Sequence, residues 1–526
     1  MRPSRSALRR SAAHLAPAAA ALLLLTGGLA ACSADDADPT ASATDPCAAL
    51  TAYGDFPDGA TVTIATAFTG TEAERFDASV EQFEECTGID IVHSGSDALE
   101  TVLRQTLEEP GAGEATSTDL PDLAVVPQPG LVRDLARADA LTALPDAVGA
   151  NVELGWDRSW MDAGSVDGVL YAAPLMASVK SFIWYSPVAF EQAGYEVPTT
   201  WDELVELTEQ IVADQAAPAD ADGAKTAAET SEPGATPWCL GVSDGDSTGW
   251  TVSDWLEETL LATRGVGAYD AWAGHRVALD DASAVSALDA VGDLLLADGS
   301  VAGGGEGAVK TTVEEAGQQL LDGSCYMLHA SSGYENLLPA GTEVVTADSA
   351  AVGAATGTDT TGGAASTAPA TAAEAPAATG GVVSAFLVPG VADDDAGAPV
   401  IVGGDFLVRI AASDGDGADE EDGTAPDAVE AVMTYLTSAA WAQARVELGG
   451  VATANRGVNA SAMSSDVARR ATELLQSRQS VIRFDASDSM PAGVGTDVLW
   501  SALTQWTTGE LDSKQALAQA EAAWPE

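Results

Sequence analysis

The spacing of apolar positions changes character several times along the chain. In "ATVTIATAF" (60–68) apolar and polar residues alternate with period two, the pattern of a strand with one buried face. "TEAERFDASVEQFEECTG" (71–88) switches to a helical period: Phe76, Val80 and Phe83 share a face, acidic residues fill the first turn, and Gly88 follows as a stop. "IDIVHSGS" (89–96) reads as a second strand, Ala98 to Glu108 as a second helix and "PDLAVVPQP" (121–129) as a third strand. The order β-α-β-α-β predicts a parallel sheet covered by helices, and in such sheets ligands bind beyond the carboxyl ends of the strands. Here those ends are Phe68-Thr69, Ser94-Gly95-Ser96-Asp97 and Pro127-Gln128-Pro129.

Other stretches carry no periodic apolar pattern. Residues 33 to about 58 are rich in Ala, Asp, Thr and Pro, the composition of a flexible stalk. Three more such stretches, about 214–235, 346–380 and 413–426, read as surface insertions, which a folded domain tolerates at small entropic cost. In front of the stalk, Arg2, Arg5, Arg9 and Arg10 precede an Ala/Leu run from Leu15 to Leu25, too short to span a bilayer as a helix. This is the layout of a signal peptide, residues 1–31. Leu29-Ala30-Ala31-Cys32 resembles the lipobox of bacterial lipoproteins, which implies that Cys32 becomes the first mature residue and carries the acyl chains. Several chains anchor a protein where one gives only reversible binding, because each buried methylene contributes about 0.8 kcal/mol.

Cys47, Cys86, Cys239 and Cys325 remain, an even number for an oxidising compartment, and four cysteines allow three connectivities. Pairing sequence neighbours joins Cys47 to Cys86 and Cys239 to Cys325. No CxxC and no Cys/His cluster of zinc spacing occurs, so neither a metal nor another cofactor is expected. The 22 basic and 80 acidic residues give a net charge of −58, more negative still once the leader arginines are removed. Such a surface repels phosphate backbones and excludes nucleic acid as a partner.

"DGVLYAAPLMASVKSFIWYSPVAFEQAGYEVPTTWDELVELTEQI" (167–211) reads as strand, strand, short helix and a longer helix capped by Thr200 with Glu203 three residues on. This stretch resembles the hinge segment of extracellular solute-binding proteins of the maltose-binding type, the receptors of sugar ABC importers. Residues 237–281, 325–339, 400–413 and 483–510 are similar to the branch of that family that takes up α-glucosides. The resemblance implies an α/β, two-lobed type II periplasmic-binding-protein fold with hinged lobes, each a central mixed sheet flanked by helices. It places lobe one at 59–172 and 384–428 and lobe two at 173–383 and 429–526. It implies a monomer, tethered at the outer face of the membrane through Cys32, that closes on a carbohydrate and passes it to an ABC permease.

A sugar site needs aromatic plates for ring faces and charged or amide groups for hydroxyls. The candidates are Phe68, Thr69, Asp97, Gln128, Lys180, Trp250, Trp255, Tyr334, Asp405, Arg456 and Asp485. Each has a plainer reading. Trp255 has the helical spacing of a core residue, Asp97 suits a helix N-cap, and Arg456, Arg483 and Asp485 suit surface ion pairs. The competing class is a surface-anchored hydrolase acting on carbohydrate or ester. Gly241-Val242-Ser243-Asp244-Gly245 matches the nucleophile-elbow pattern, but a chain with 52 glycines produces such matches by chance. Only His93, His275 and His329 follow the leader as partners for it, so the expectation is a receptor and not an enzyme.

Overall fold

Two β-sheets, built from different parts of the chain and joined by three crossings, organise the protein. A computed structural model describes residues 46–56, 59–108, 120–216, 235–339, 341–346, 381–390, 399–411 and 426–525. Cys32, the leader, most of the stalk and most of the three insertions lie outside the described residues. The strands are β1 Ala60–Thr66, β2 Ile89–Gly95, β3 Leu123–Val126, β4 Leu141–Thr142, β5 Ser165–Val166, β6 Val169–Leu170, β7 Ala172–Val179, β8 Phe182–Tyr185, β9 Thr236–Cys239, β10 Cys325–His329, β11 Glu343–Thr346, β12 Val382–Leu387, β13 Val400–Ile410 and β14 Ile482–Phe484.

The first sheet runs β14-β13-β3-β1-β2, with β4 and β7 also paired to β13. Its β1, β2 and β3 are parallel, as the alternating pattern predicts, and the helix Gly70–Thr87 between β1 and β2 buries Phe76, Val80 and Phe83. That helix ends at Gly88 in the left-handed region, φ 80°, where glycine carries no Cβ penalty. The second sheet runs β11-β12-β8-β10-β9. Both faces of its β8 are buried: Phe182 and Trp184 join one hydrophobic core, Ile183 and Tyr185 the other. This is why "FIWY" is a continuous apolar run instead of an alternating one. The helix Trp201–Ala216 starts with the expected capping box: Glu203 N–H donates to Thr200 Oγ1 and Thr200 N–H to Glu203 Oε2, both at 3.2 Å.

The crossings fall elsewhere than the sequence suggests. β7, expected in lobe two, pairs with β13 in the first sheet, so the first crossing is at Lys180-Ser181. β12 pairs with β8 in the second sheet, so the return comes after residue 387, not before 384. The helices Pro426–Leu436 and Ala439–Glu447 pack on the first sheet's core, and the chain leaves that sheet for good after β14, at Asp485. The displacement comes from pairings between distant strands, β13 with β7 and β14 and β12 with β8, which are invisible in local patterning.

Four hydrogen bonds hold the crossings together, two of them through Ser181. Lys180 N–H donates to Ile401 O (2.8 Å), Ile401 N–H to Ser181 Oγ (2.7 Å), Val388 N–H to Ser181 O (2.9 Å), and Asp485 N–H to Val402 O (2.9 Å). Residues 49–526 form one compact unit. Within it Cys239 and Cys325 form a disulfide between adjacent parallel strands, Cα–Cα 5.4 Å, as paired from the sequence. Each of Cys47 and Cys86 is a disulfide-bonded cysteine too. Among the described residues no helix is long and apolar enough to cross a membrane.

Candidate functional site

A cavity of about 260 Å³ lies where β10 and the turn after it face the start of the first helix. Glu72 of helix Gly70–Thr87 lines it from the first lobe; Trp250, His329, Ser331, Tyr334 and Asn336 line it from the second. Trp250 is fixed by a local turn, Tyr334 and Asn336 by contacts with more distant segments. Trp250 is the first residue of helix Trp250–Arg264, presented by Gly249 at φ 107°, where any Cβ would collide with Trp500 O. Its indole N–H donates to Asp244 Oδ2 at 2.7 Å, and Lys180 Nζ lies 5.6 Å from its ring centroid. Tyr334, in the turn Ser332–Leu337, donates its hydroxyl to Gly317 O (2.8 Å) and sets its ring edge-on to Trp184. Asn336 is held by three bonds across the lobes: Arg75 Nη1 donates to its Oδ1 (2.6 Å), and its Nδ2 donates to Glu72 Oε1 (3.1 Å) and Gly450 O (3.0 Å).

His329 closes β10 with its ring 4.5 Å from Trp255, and its buried Nε2 has no hydrogen-bond partner among the described residues. Burial, reinforced by the Lys180 charge, holds its pKa down to about 3, so the imidazole is neutral at any ordinary pH.

Behind Trp250, at the crossings, lies a buried cluster of charge. Lys180 Nζ is 2.5 Å from Asp485, 3.1 Å from Asp254 and 3.2 Å from Asp488. Burial opposes the Lys180 charge, but these three carboxylates raise its pKa well above the usual value. Burial likewise opposes ionisation of Asp485, yet Lys180 and the bonds it accepts draw it down to about 2. Burial, with the Asp485 charge added, pushes Asp488 up to about 7, and burial pushes Asp254 well up despite Lys180. Glu257 accepts from Tyr269 Oη (2.6 Å) and from the N–H groups of Ala486 (2.7 Å) and Ser487 (2.9 Å), which fastens helix Trp250–Arg264 to the third crossing. Glu258 takes the Ser181 hydroxyl, tying the same helix to the first. One lysine faces several carboxylates, so part of the cluster keeps its protons near neutrality.

The structure brings Lys180, Trp250, Tyr334 and Asp485 around this region. Asp405, on β13, sits within electrostatic reach of Glu72 and Asp488, and burial first, then those charges, push it up to about 7. Trp255 does not line the cavity: it is 2% exposed and packs edge-on against Trp238. Arg456 is not brought in either, because it pairs with Asp157 and donates to Trp156 O (2.6 Å) within lobe one. Phe68 is buried against Phe76, and Thr69 is exposed, using its backbone carbonyl to accept from Glu72 N–H (3.2 Å). Asp97 is exposed and lies beside Gly245 of the other lobe, and Gln128 is buried at the start of helix Pro129–Arg137. The sequence reasoning missed Glu72, Asn336, Asp254 and Asp488. Glu72 was legible only as an acidic first-turn residue, and His329 only as a possible partner for Ser243.

Ser243 is bound through its backbone to residues 311 and 313, while His93 bonds Thr66 and Asp77 and His275 bonds Glu521. Among the described residues no group of three or more His, Cys, Asp or Glu is arranged to hold a metal ion.

Comparisons with known proteins agree with this architecture. Residues 69–443 match the family described as bacterial extracellular solute-binding proteins. The osmoprotective compounds-binding protein GgtB of Synechocystis is 28% identical over 467 residues, 88% of this chain and 92% of that one. The alpha-glucosides-binding periplasmic protein AglE of Rhizobium meliloti is 28% identical over 477 residues, 89% of this chain and 87% of its own. Among solved structures, the bacterial solute receptor AcbH superposes with a TM-score of 0.63 at 14% identity, covering 88% of this chain and 97% of its own. Maltose-bound MalE3 of T. maritima superposes at 0.58 with 16% identity, covering 88% and 98%.

Proposed function

The chain belongs to the bacterial extracellular solute-binding proteins, and on that footing we propose that it captures a carbohydrate, an α-glucoside or related oligosaccharide, and delivers it to an ABC permease. The observation that carries this reading is the cavity between the lobes. It offers an indole and a phenol ring for the apolar faces of a sugar, with Glu72, Asn336 and Ser331 for its hydroxyls. The names of two relatives point the same way, one an alpha-glucosides-binding protein and the other a multiple sugar-binding protein.

Binding would draw the lobes together about the three crossings, and the closed pair would present one composite surface to the permease. The protein does no chemistry on its ligand in this reading. It acts as a monomer held at the outer face of the membrane by acyl chains on Cys32. Intact mass of the mature chain from membranes tests the anchor: an unmodified Cys32 overturns it. A thermal-shift screen of the purified protein against mono-, di- and oligosaccharides, followed by calorimetry, tests the ligand class. An α-glucoside should raise the melting temperature and be recovered intact. No shift with any carbohydrate, or cleavage of the sugar, overturns the proposal.

A further inference from the structure

The loop 241–249, which leads into helix Trp250–Arg264, closes on itself. Gly249 N–H donates to Val242 O (3.0 Å) and Ser247 N–H to Asp244 O (2.8 Å). Asp244 N–H donates to Thr248 Oγ1 (3.0 Å), whose hydroxyl donates to Gly245 O (2.8 Å). None of these bonds uses the Asp244 carboxylate. Among the described residues its one hydrogen-bond donor is the Trp250 indole N–H, at 2.7 Å. An acid in that place is held against opposition. Burial raises its pKa, the indole N–H draws it back, and the charge of Asp97, which lobe one brings beside Gly245, raises it again. The ring is held from a second side by Lys180, itself fixed among Asp254, Asp485 and Asp488. Trp250 lines the cavity between the lobes, whereas Asp244 and Lys180 do not.

We propose that Asp244 is a positioning residue for ligand capture: it touches no sugar and acts through the Trp250 indole, fixing the plane on which a sugar ring stacks. This rests on the carbohydrate reading above and deepens it. Stacking depends on the orientation of the aromatic plate, and a half-buried indole at a cavity wall turns about two side-chain torsions unless its edge is tied. A ring already fixed in the free protein loses no further freedom when ligand arrives, which is where preorganisation gains affinity. A carboxylate suits the task because a charge-assisted hydrogen bond is roughly twice as strong as a neutral one. The loop gives the acid its place: its turns are closed by backbone and Thr248, so the carboxylate is carried on a rigid support one loop away from the ring it holds.

The test is a double-mutant cycle read by isothermal calorimetry of the full mature chain with maltose. Asp244→Ala should weaken binding about three- to tenfold, the effect of releasing one side chain. Asp244→Asn keeps a neutral acceptor and should weaken it only about two- to threefold. Trp250→Phe keeps an aromatic ring but has no N–H for Asp244 to hold. In that background Asp244→Ala should change affinity by less than about twofold, because the group through which Asp244 acts is gone. A loop that merely collapsed would weaken binding whatever stood at position 250. If the alanine variant does not fold, the same cycle is run with Asp244→Asn. Wild-type affinity in Asp244→Ala, or an undiminished loss in the Trp250→Phe background, overturns the inference while leaving the carbohydrate reading intact. Wild-type affinity in Trp250→Ala, or no binding of maltose by the wild type, overturns the reading of the cavity and this inference with it.

Discussion

Replacing Glu258 by glutamine should make the protein more stable in alkali and leave it nearly unchanged in mild acid. Glu258 lies on helix Trp250–Arg264, 2% exposed, and takes the hydroxyl of Ser181, whose Oγ in turn accepts Ile401 N–H. Burial pushes its pKa from 4.5 up to about 8, against the pull of Ser181 and Lys180. Because the folded value lies above the unfolded one, the native state keeps a proton that the unfolded chain loses. The stabilisation this provides is complete below about pH 4.5 and disappears as the pH rises through 8. At about 1.4 kcal/mol for each pH unit, the wild type loses roughly 5 kcal/mol over that span relative to a side chain that never ionises. Glutamine keeps a carbonyl oxygen for Ser181 and has no proton to lose. Urea unfolding followed by tryptophan fluorescence at about pH 5, 7 and 9 measures the difference directly. The variant should lie within about 1 kcal/mol of the wild type at pH 5 and exceed it by several kcal/mol at pH 9. Asp488 also titrates in this range, but it does so in both proteins and cancels in the comparison. Stability profiles that stay parallel from pH 5 to 9 would refute the assignment of a buried, protonated Glu258 at the crossings.

Two tryptophans on one helix should behave oppositely. Trp250→Ala should weaken ligand binding by at least about 2 kcal/mol, some thirtyfold by calorimetry, with little loss of stability, because its ring is half-exposed at the cavity wall. Trp255→Ala should cost about 3–5 kcal/mol in denaturant unfolding, because its ring is fully packed between Trp238 and His329. Removing the Cys239–Cys325 disulfide by the double substitution to alanine should lower stability by about 4 kcal/mol, since the crosslink closes a sequence separation of 86 residues. The check is urea unfolding of the double-alanine variant beside the wild type without reductant; coincident unfolding midpoints would refute the contribution of this crosslink.

The residue patterns alone determined the elements that depend on near neighbours in the chain. The strands around Val62, Ile91 and Val125, the helix stopped by Gly88, the Thr200/Glu203 cap and the parallel order of β1, β2 and β3 all follow from period and capping, which are local. The Lys180, Trp250, Tyr334 and Asp485 candidates were legible because polar or aromatic groups interrupted apolar stretches or ended them. What the tertiary structure decided was everything set by contacts between distant segments. β13 draws β7 and β14 to itself across more than 200 and about 80 residues of chain respectively, and so moves every lobe boundary. The same pairing brings Asp485, whose plainer reading was a surface ion pair, to Lys180 in a buried cluster with Asp254 and Asp488. Trp255 and Arg456 each carried a plainer reading beside the ligand one, and packing decides for it: the first faces a core and the second an ion pair, because which way a side chain points depends on what packs opposite it. Glu72 and Asn336 became a wall only when two lobes met, 264 residues apart in the chain and 3.1 Å apart in space.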